Sequence, residues 1–219
     1  MPQDFRLHNV ETIGVELEGG WDDEPETDIY GDGSVNVEGD FGSGEIQSPG
    51  LTWDRLKNWI ATNYPQRVNS SCGFHIHVKM TTLGAYMGTM EQGFCTFLKK
   101  KLRQFGIKEN IPRSDSFWLR LEGRNTYCRD EFRAAVQAAA RAKTSERYTM
   151  INWCYRLHGT IEFRVLPMFA NAEMAIKAAE AILLALAAYS RKKKHGEKIL
   201  DTKIQIRKPN EDGGGTICV

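Results

Sequence analysis

The chain has 219 residues, 29 Lys or Arg against 28 Asp or Glu, a net charge of +1 and 41% hydrophobic residues. That length and apolar content suit one substantial core, and the balanced charge excludes a global electrostatic bias toward nucleic acid or an anionic membrane. The start, MPQDFRLHNVET, lacks the basic segment and apolar run of a signal peptide, and the most apolar stretch, Ala178 to Tyr189, is too short to span a bilayer, so a soluble, cytoplasmic protein with no membrane contact is expected. Cys72, Cys95, Cys128, Cys154 and Cys218 are scattered without a CxxC pair, which argues against a disulfide framework or a thiolate zinc site.

Val10 to Glu18 alternate apolar and polar residues and predict a strand; Gly19 to Gly44, rich in Gly and Asp, predict a loop with a short strand at Ser34 to Val37. Glu45 to Ser48 predict a second strand stopped by Pro49-Gly50, after which Thr52 caps a helix with Trp53, Leu56, Trp59 and Ile60 at helical spacing. Phe74 to Val78 form a strand, and Ala85 to Phe105 a mostly helical segment ending at Gly106, weakened at Gly88 and Gly93. Pro112 marks a break between Asn110 and Arg113. Arg129 to Lys143 and Asn171 to Lys194 predict two further helices, and between them Tyr148 to Arg156 and Thr160 to Leu166 flank His158-Gly159 as a hairpin turn. The tail from Lys192 is basic, then glycine-rich; the expected organisation is one domain over residues 1–195 and a charged, solvated tail over 196–219. The fold class expected is α+β, an antiparallel sheet with helices packed on one face and the site on the other.

Side chains alternate along a strand, so Glu16 and Glu18 share a face that excludes Val15 and Leu17. The same division sets His75 and His77 against Phe74, Ile76 and Val78, Glu162 and Arg164 against Ile161, Phe163 and Val165, and Glu45 and Gln47 against Ile46. A solvated face normally mixes Lys, Thr and Ser with Glu. These positions instead supply glutamates, histidines and one arginine, and carboxylates crowded on neighbouring strands need a neutraliser. Oxygen ligands with an imidazole suit Mg²⁺ or Mn²⁺, and Mg²⁺ usually joins protein carboxylates to a phosphate substrate. Arg164, two residues beyond Glu162, stands where a transferring phosphoryl group needs positive charge.

In this order, GVELE, DGSV, GEIQSPG, SCGFHIHV, RYTMIN and TIEFRVLP resemble the amidoligase family of the glutamine synthetase and glutamate–cysteine ligase superfamily, over about Ile13 to Asn171. The resemblance implies an antiparallel sheet of that catalytic type, ATP and Mg²⁺ (or Mn²⁺) as cofactors, and amide-bond formation through an acyl phosphate, with a carboxylate and an amine as substrates. It implies that Glu16, His75 and Glu162 hold one ion and Glu18 and Glu45 another, that Arg164 contacts the γ-phosphate, and that Asp32 orients or deprotonates the amine, unless Asp32-Gly33 is a plain turn. His77 then acts behind the ligands or on substrate. Arg124 and Arg147 are candidates for phosphate or substrate carboxylate, and Asn152, facing Glu162 across the turn, for a polar contact near the nucleotide. No Walker-type glycine loop occurs and no nucleotide-base pocket is legible. Two other readings stay open: a mononuclear metal enzyme using the His75/His77 pair, and a non-enzymatic binding module presenting Lys192 to Lys194 and the helix from Ala175 to Ala188. Nucleic acid would be met only through the basic tail, and homo-oligomerisation is left open.

Overall fold

The structure, a computed structural model, describes residues 7, 9–141, 148–194, 205–206 and 217–218. Five strands form one fully antiparallel sheet: β1 (Val10–Trp21), β2 (Gly42–Gln47), β3 (Gly73–Met80), β4 (Ile151–Cys154) and β5 (Thr160–Pro167), in the order β2-β1-β3-β5-β4. Strict alternation in β1 and β3 sends Ile13, Val15, Leu17, Phe74, Ile76 and Val78 to one face, where all are buried. Burying such side chains is worth roughly 1.5–3 kcal/mol each, so this face fixes the register, since a slip of one residue would turn the carboxylates into the core.

Helices α1 (Trp53–Asn63), α3 (Gln92–Lys108) and α7 (Ala172–Lys194) cover that apolar face; Leu56 and Ile60, Phe94, Leu98 and Leu102, and Ile182, Leu183 and Leu186 supply the buried contacts. Phe94 meets Phe163 of β5 edge to face at 6.2 Å. The loop that leads into α7 is tied to the end of α1, where the Tyr64 hydroxyl donates to the Phe169 carbonyl at 2.7 Å. No helix among the described residues is long and apolar enough to cross a membrane.

Several expectations are corrected. Ser34 to Val37 form no strand, because Asp32 Oδ1 accepts from the Ser34 amide at 2.8 Å and from its hydroxyl at 2.7 Å, curling the loop locally. The single helix expected over Ala85 to Phe105 is two, α2 (Leu83–Met87) and α3, separated where Thr89 turns its hydroxyl back to the Tyr86 carbonyl. The hairpin expected at His158-Gly159 is present, since β4 and β5 pair antiparallel across it, but its connection is longer than the two-residue turn: Tyr155–His158 form one helical turn, α6, closed by Gly159 at φ 70°. A type I′ hairpin requires positive φ at both central residues, and only Gly159 has it. Helices also stand on both sides of the sheet rather than one, because α5 (Phe132–Arg141) and α6 border the polar face at β4. A short helix, α4 (Ser116–Leu121), falls where no element is expected. Of the tail, Gln205–Ile206 and Ile217–Cys218 pair antiparallel; its other residues, and Arg147, lie outside the described residues.

One glycine sets the loop that overhangs the polar face. Tyr30 and Glu45 exchange backbone hydrogen bonds at 2.8 and 2.9 Å, bringing the Asp32 loop alongside β2. Gly44, adjacent, has φ +144°, and a Cβ there would overlap the Tyr30 carbonyl. Gly44→Ala is therefore expected to lower stability by more than about 1 kcal/mol in urea unfolding, and an unchanged midpoint would contradict this account of the loop.

Candidate metal and phosphate site

Register brings the polar residues together. Glu16 lies opposite His75, Glu18 opposite Glu45, His77 opposite Glu162, and Glu162 opposite Asn152, so one continuous polar strip crosses all five strands. Between Phe74 and Ile76 the β3–β5 register shifts by one, the extra residue lying in β5. This bulge leaves Arg164 beside Glu162 on the polar face while Val165 and Leu166 are both buried.

Glu16 is the hub. Its Oε2 lies 2.8 Å from His75 Nδ1 and its Oε1 3.0 Å from His77 Nε2. Burial would raise this carboxyl, but hydrogen bonds from the two imidazoles, and their charge when protonated, overcome it and hold the group well below the usual carboxylate range. Burial likewise depresses His77, yet the Glu16 hydrogen bond and charge win and raise it. Glu162 is buried among its partners: Arg164 donates to its Oε1 at 2.7 Å and Asn152 to its Oε2 at 2.9 Å, and the Arg164 charge outweighs burial to keep the carboxylate ionised. Arg164 is raised in turn, burial opposing and Glu162 prevailing, and its guanidinium lies 5.6 Å from the Tyr148 ring centre.

The acidic corner lies on β1 and β2. Glu18, 2% exposed, accepts from the Gly73 amide at 2.5 Å and lies 3.4 Å from His75 Nε2. Gly73 has no room for a side chain, since a Cβ would stand 2.5 Å from His75 Nε2 and 3.1 Å from Glu18 Oε2. Glu45 accepts from Gln47 at 2.7 Å, but burial and then the Glu16 charge push its carboxyl up to about 7.

Three groups have ligand atoms mutually within 4.8 Å: Glu16, Glu45 and His75; Glu16, His77 and Glu162; and Glu18, Asp32 and Glu45. The polar strip thus contains every residue expected as a metal ligand, with a different partition. His77 joins Glu16 and Glu162 in place of His75, and Asp32 joins Glu18 and Glu45. His75 and His77 fall in different groups, so among the described residues no group is built on both imidazoles. The buried His75 Nε2 has no hydrogen-bond partner, the Glu18 carboxylate lying 3.4 Å away. Oxygen-rich groups beside an underused imidazole nitrogen fit divalent cations such as Mg²⁺ or Mn²⁺.

A cavity of about 230 Å³ opens above this strip, lined by Glu16, Glu45, His77, Glu162 and Arg164, with Asp32 at its edge. Arg124 is not among its lining residues: it is exposed and pairs with Glu122 at 2.6 Å. Asn152 does reach the cavity, and its side-chain oxygen also accepts from Thr149.

Two features escape the sequence reading. Arg120 of α4 is completely buried; its Nη1 and Nη2 each lie 3.4 Å from a carbonyl, of Arg164 and of Ser71, so it ties α4 to β5 and to the entry of β3. Burial lowers its pKa, and the charge of Glu18 acts the other way. A lone arginine within the apolar run Phe117-Trp118-Leu119-Arg120-Leu121 is the signal that marks it. Arg156 and His158 of α6 also line the cavity, hidden from sequence because their helical turn reads as a hairpin.

Comparison with protein-family models, curated proteins and solved structures gives no match.

The raised Glu45 carboxyl makes stability depend on pH. Its folded value of about 7 exceeds the ordinary 4.5, so its contribution is full below pH 4.5 and is lost as pH rises through 7. His77, also raised, loses its contribution as pH climbs above its ordinary 6.5. Metal-free protein should therefore weaken from pH 5 to 8 in urea unfolding, and Glu45→Gln should flatten that decline and stabilise the protein at pH 8. An equal slope in the variant would contradict the assignment to Glu45.

Proposed function

We propose that the chain is an ATP- and Mg²⁺-dependent ligase that joins a carboxylate to an amine. The observation that carries the reading is the convergence of Glu16, Glu18, Glu45, Glu162, His75 and His77 on one face of the sheet with Arg164 among them. Carboxylates alone would suit many cation sites. A buried guanidinium held by a carboxylate beside them adds a place for an anion, which points to a phosphoryl group bound with its metal. The order of motifs that resembles the amidoligase family supports the choice of acid and amine as substrates.

The groups containing Glu16 and Glu162 would hold the ion beside the phosphates, and Glu18 with Glu45 the ion beside the substrate acid. Bound there, divalent ions supply charge neutralisation and Lewis acidity. Asn152 holds Glu162 and Glu162 holds Arg164, so the guanidinium would meet a phosphoryl group there without reorganisation. The substrate carboxylate oxygen attacks the γ-phosphorus and ADP leaves; the amine then attacks the acyl carbon and phosphate leaves. Asp32, at the acidic corner, accepts the proton released by the amine.

Protein supplied with Mg²⁺ and ATP should release ADP and phosphate only when both an acid and an amine are present. Glu16→Gln and Arg164→Lys should each reduce that rate by about 100-fold or more, the lysine because it keeps a charge but loses the planar fork. If no ATP analogue binds in the presence of Mg²⁺, and Glu16→Gln alters no nucleotide response, the reading is wrong.

A further inference from the structure

Arg120 of α4 is completely buried and does not line the cavity, so it acts on any ligand only through other groups. Its two terminal nitrogens reach only carbonyl oxygens, of Arg164 and of Ser71, each at 3.4 Å, and its Nε has no partner. Among the described residues no carboxylate pairs directly with it. A neutral amide could tie two carbonyls together without taking a positive charge out of water, which is costly unless an anion balances it. The charge itself therefore needs a counter-ion.

Few anions are available. Burial lowers the Arg120 pKa, and Cys128, Glu18 and Cys72 act the other way. Burial pushes the Cys128 thiol up to about 12 and raises Cys72 as well, so both are neutral thiols at neutral pH and Glu18 is the anion that remains. Gly73 is where the two charges meet. A Cβ on Gly73 would stand 3.1 Å from Glu18 Oε2 and 3.2 Å from Arg120 Nη1, so carboxylate and guanidinium face each other across the place of the missing side chain. Glu18 otherwise has only the Gly73 amide at 2.5 Å and the His75 ring nitrogen at 3.4 Å to replace its hydration.

We infer that Arg120 is a positioning residue: it is the fixed counter-cation of Glu18, and through Glu18 it sets how tightly the acidic corner of Glu18, Asp32 and Glu45 holds a divalent ion. The part concerning the ion rests on the reading of that corner as a metal site; the pairing of Arg120 with Glu18 does not. Without an ion, the guanidinium supplies part of the compensation that the buried carboxylate needs. With an ion at Glu18, two positive charges share one carboxylate and repel each other, so Arg120 keeps the ion exchangeable. The Arg164 carbonyl ties the guanidinium to β5 and the Ser71 carbonyl ties it to the chain entering β3, so backbone on two sides fixes the counter-charge in place.

Two measurements on the full-length protein separate this role from a plain structural tie: urea unfolding without metal, and Mn²⁺ titration followed by electron paramagnetic resonance. Arg120→Met, which keeps the bulk and removes the charge, and Glu18→Gln should each lower the metal-free midpoint by about 1 M or more, whereas the double variant should recover at least about half of the loss seen in Arg120→Met. Arg120→Met should tighten by about tenfold the Mn²⁺ site that Glu18→Gln removes, and Arg120→Lys, which keeps the charge, should hold that site within about threefold of wild type. An equal loss of midpoint from Arg120→Met with and without Glu18→Gln, an Mn²⁺ affinity that is unchanged or weaker in Arg120→Met, or an Arg120→Lys variant that behaves like Arg120→Met, overturns the inference. If Arg120→Met does not fold, the double variant must fold, and its failure overturns the pairing as well. Wild-type protein that binds no Mn²⁺ overturns the metal reading of the corner and the ion half of the inference with it, while the unfolding comparison still decides the pairing.

Discussion

Everything at the polar face follows from the burial of charge against a sheet whose other face is committed to the core. Glu18, His75, Glu162 and Arg164 are each under 9% exposed, and a charged group removed from water survives only when partners replace its hydration. The partners are visible: the Gly73 amide for Glu18, both imidazoles for Glu16, Arg164 and Asn152 for Glu162. The compensation is incomplete at Glu45, whose nearest neighbours include Glu16, and the result is a carboxyl driven to about 7. A face with more carboxylates than fixed cations is under a standing demand for added positive charge. Divalent ions meet it most simply, because each satisfies several carboxylate oxygens at once.

The same demand explains how little freedom the backbone has nearby. The hydrogen bond from Gly73 reaches Glu18 only because no Cβ stands between them, and Gly44 lets the Asp32 loop close on β2. The β5 bulge keeps Arg164 on the polar side while two successive apolar residues enter the core. Each of these departures from a regular strand turns a charged side chain toward the others. The β5 bulge thus falls where polar groups meet, while the apolar faces of β1 from Ile13 to Leu17 and of β3 from Phe74 to Val78 keep plain alternation.

Helices divide the labour differently on the two sides. α1, α3 and α7 bury large apolar side chains and supply the stability that a half-charged sheet lacks. α5 and α6 bury little; α5 contributes alanines and α6 a half-exposed leucine, so they shape a cavity edge instead of filling it. The arrangement leaves the polar strip acidic at β1 and β2 and bordered at β4 by alanines and Leu157 together with Arg156 and His158.

By itself, the sequence determined which residues share the polar face. Period-two alternation is local, and a buried apolar set in β1, β3 and β5 forces Glu16, Glu18, His75, His77, Glu162 and Arg164 to the opposite side whatever the strand order. The pattern could not say which strands are neighbours, so it could not divide the ligands into groups. Only the order β2-β1-β3-β5-β4 pairs His77 with Glu162 and brings Asp32 to Glu18 and Glu45. Arg124 and Arg120 show the same limit: both lie close to polar motifs in the chain, yet one is paired at the surface and the other buried behind Glu18 and Arg164. The cavity lining that α5 and α6 add at β4 was beyond reach for a further reason. An alanine-rich helix and a short His-Gly segment carry no chemical signature, and their meaning comes from tertiary packing that sets them at one edge of a charged cavity.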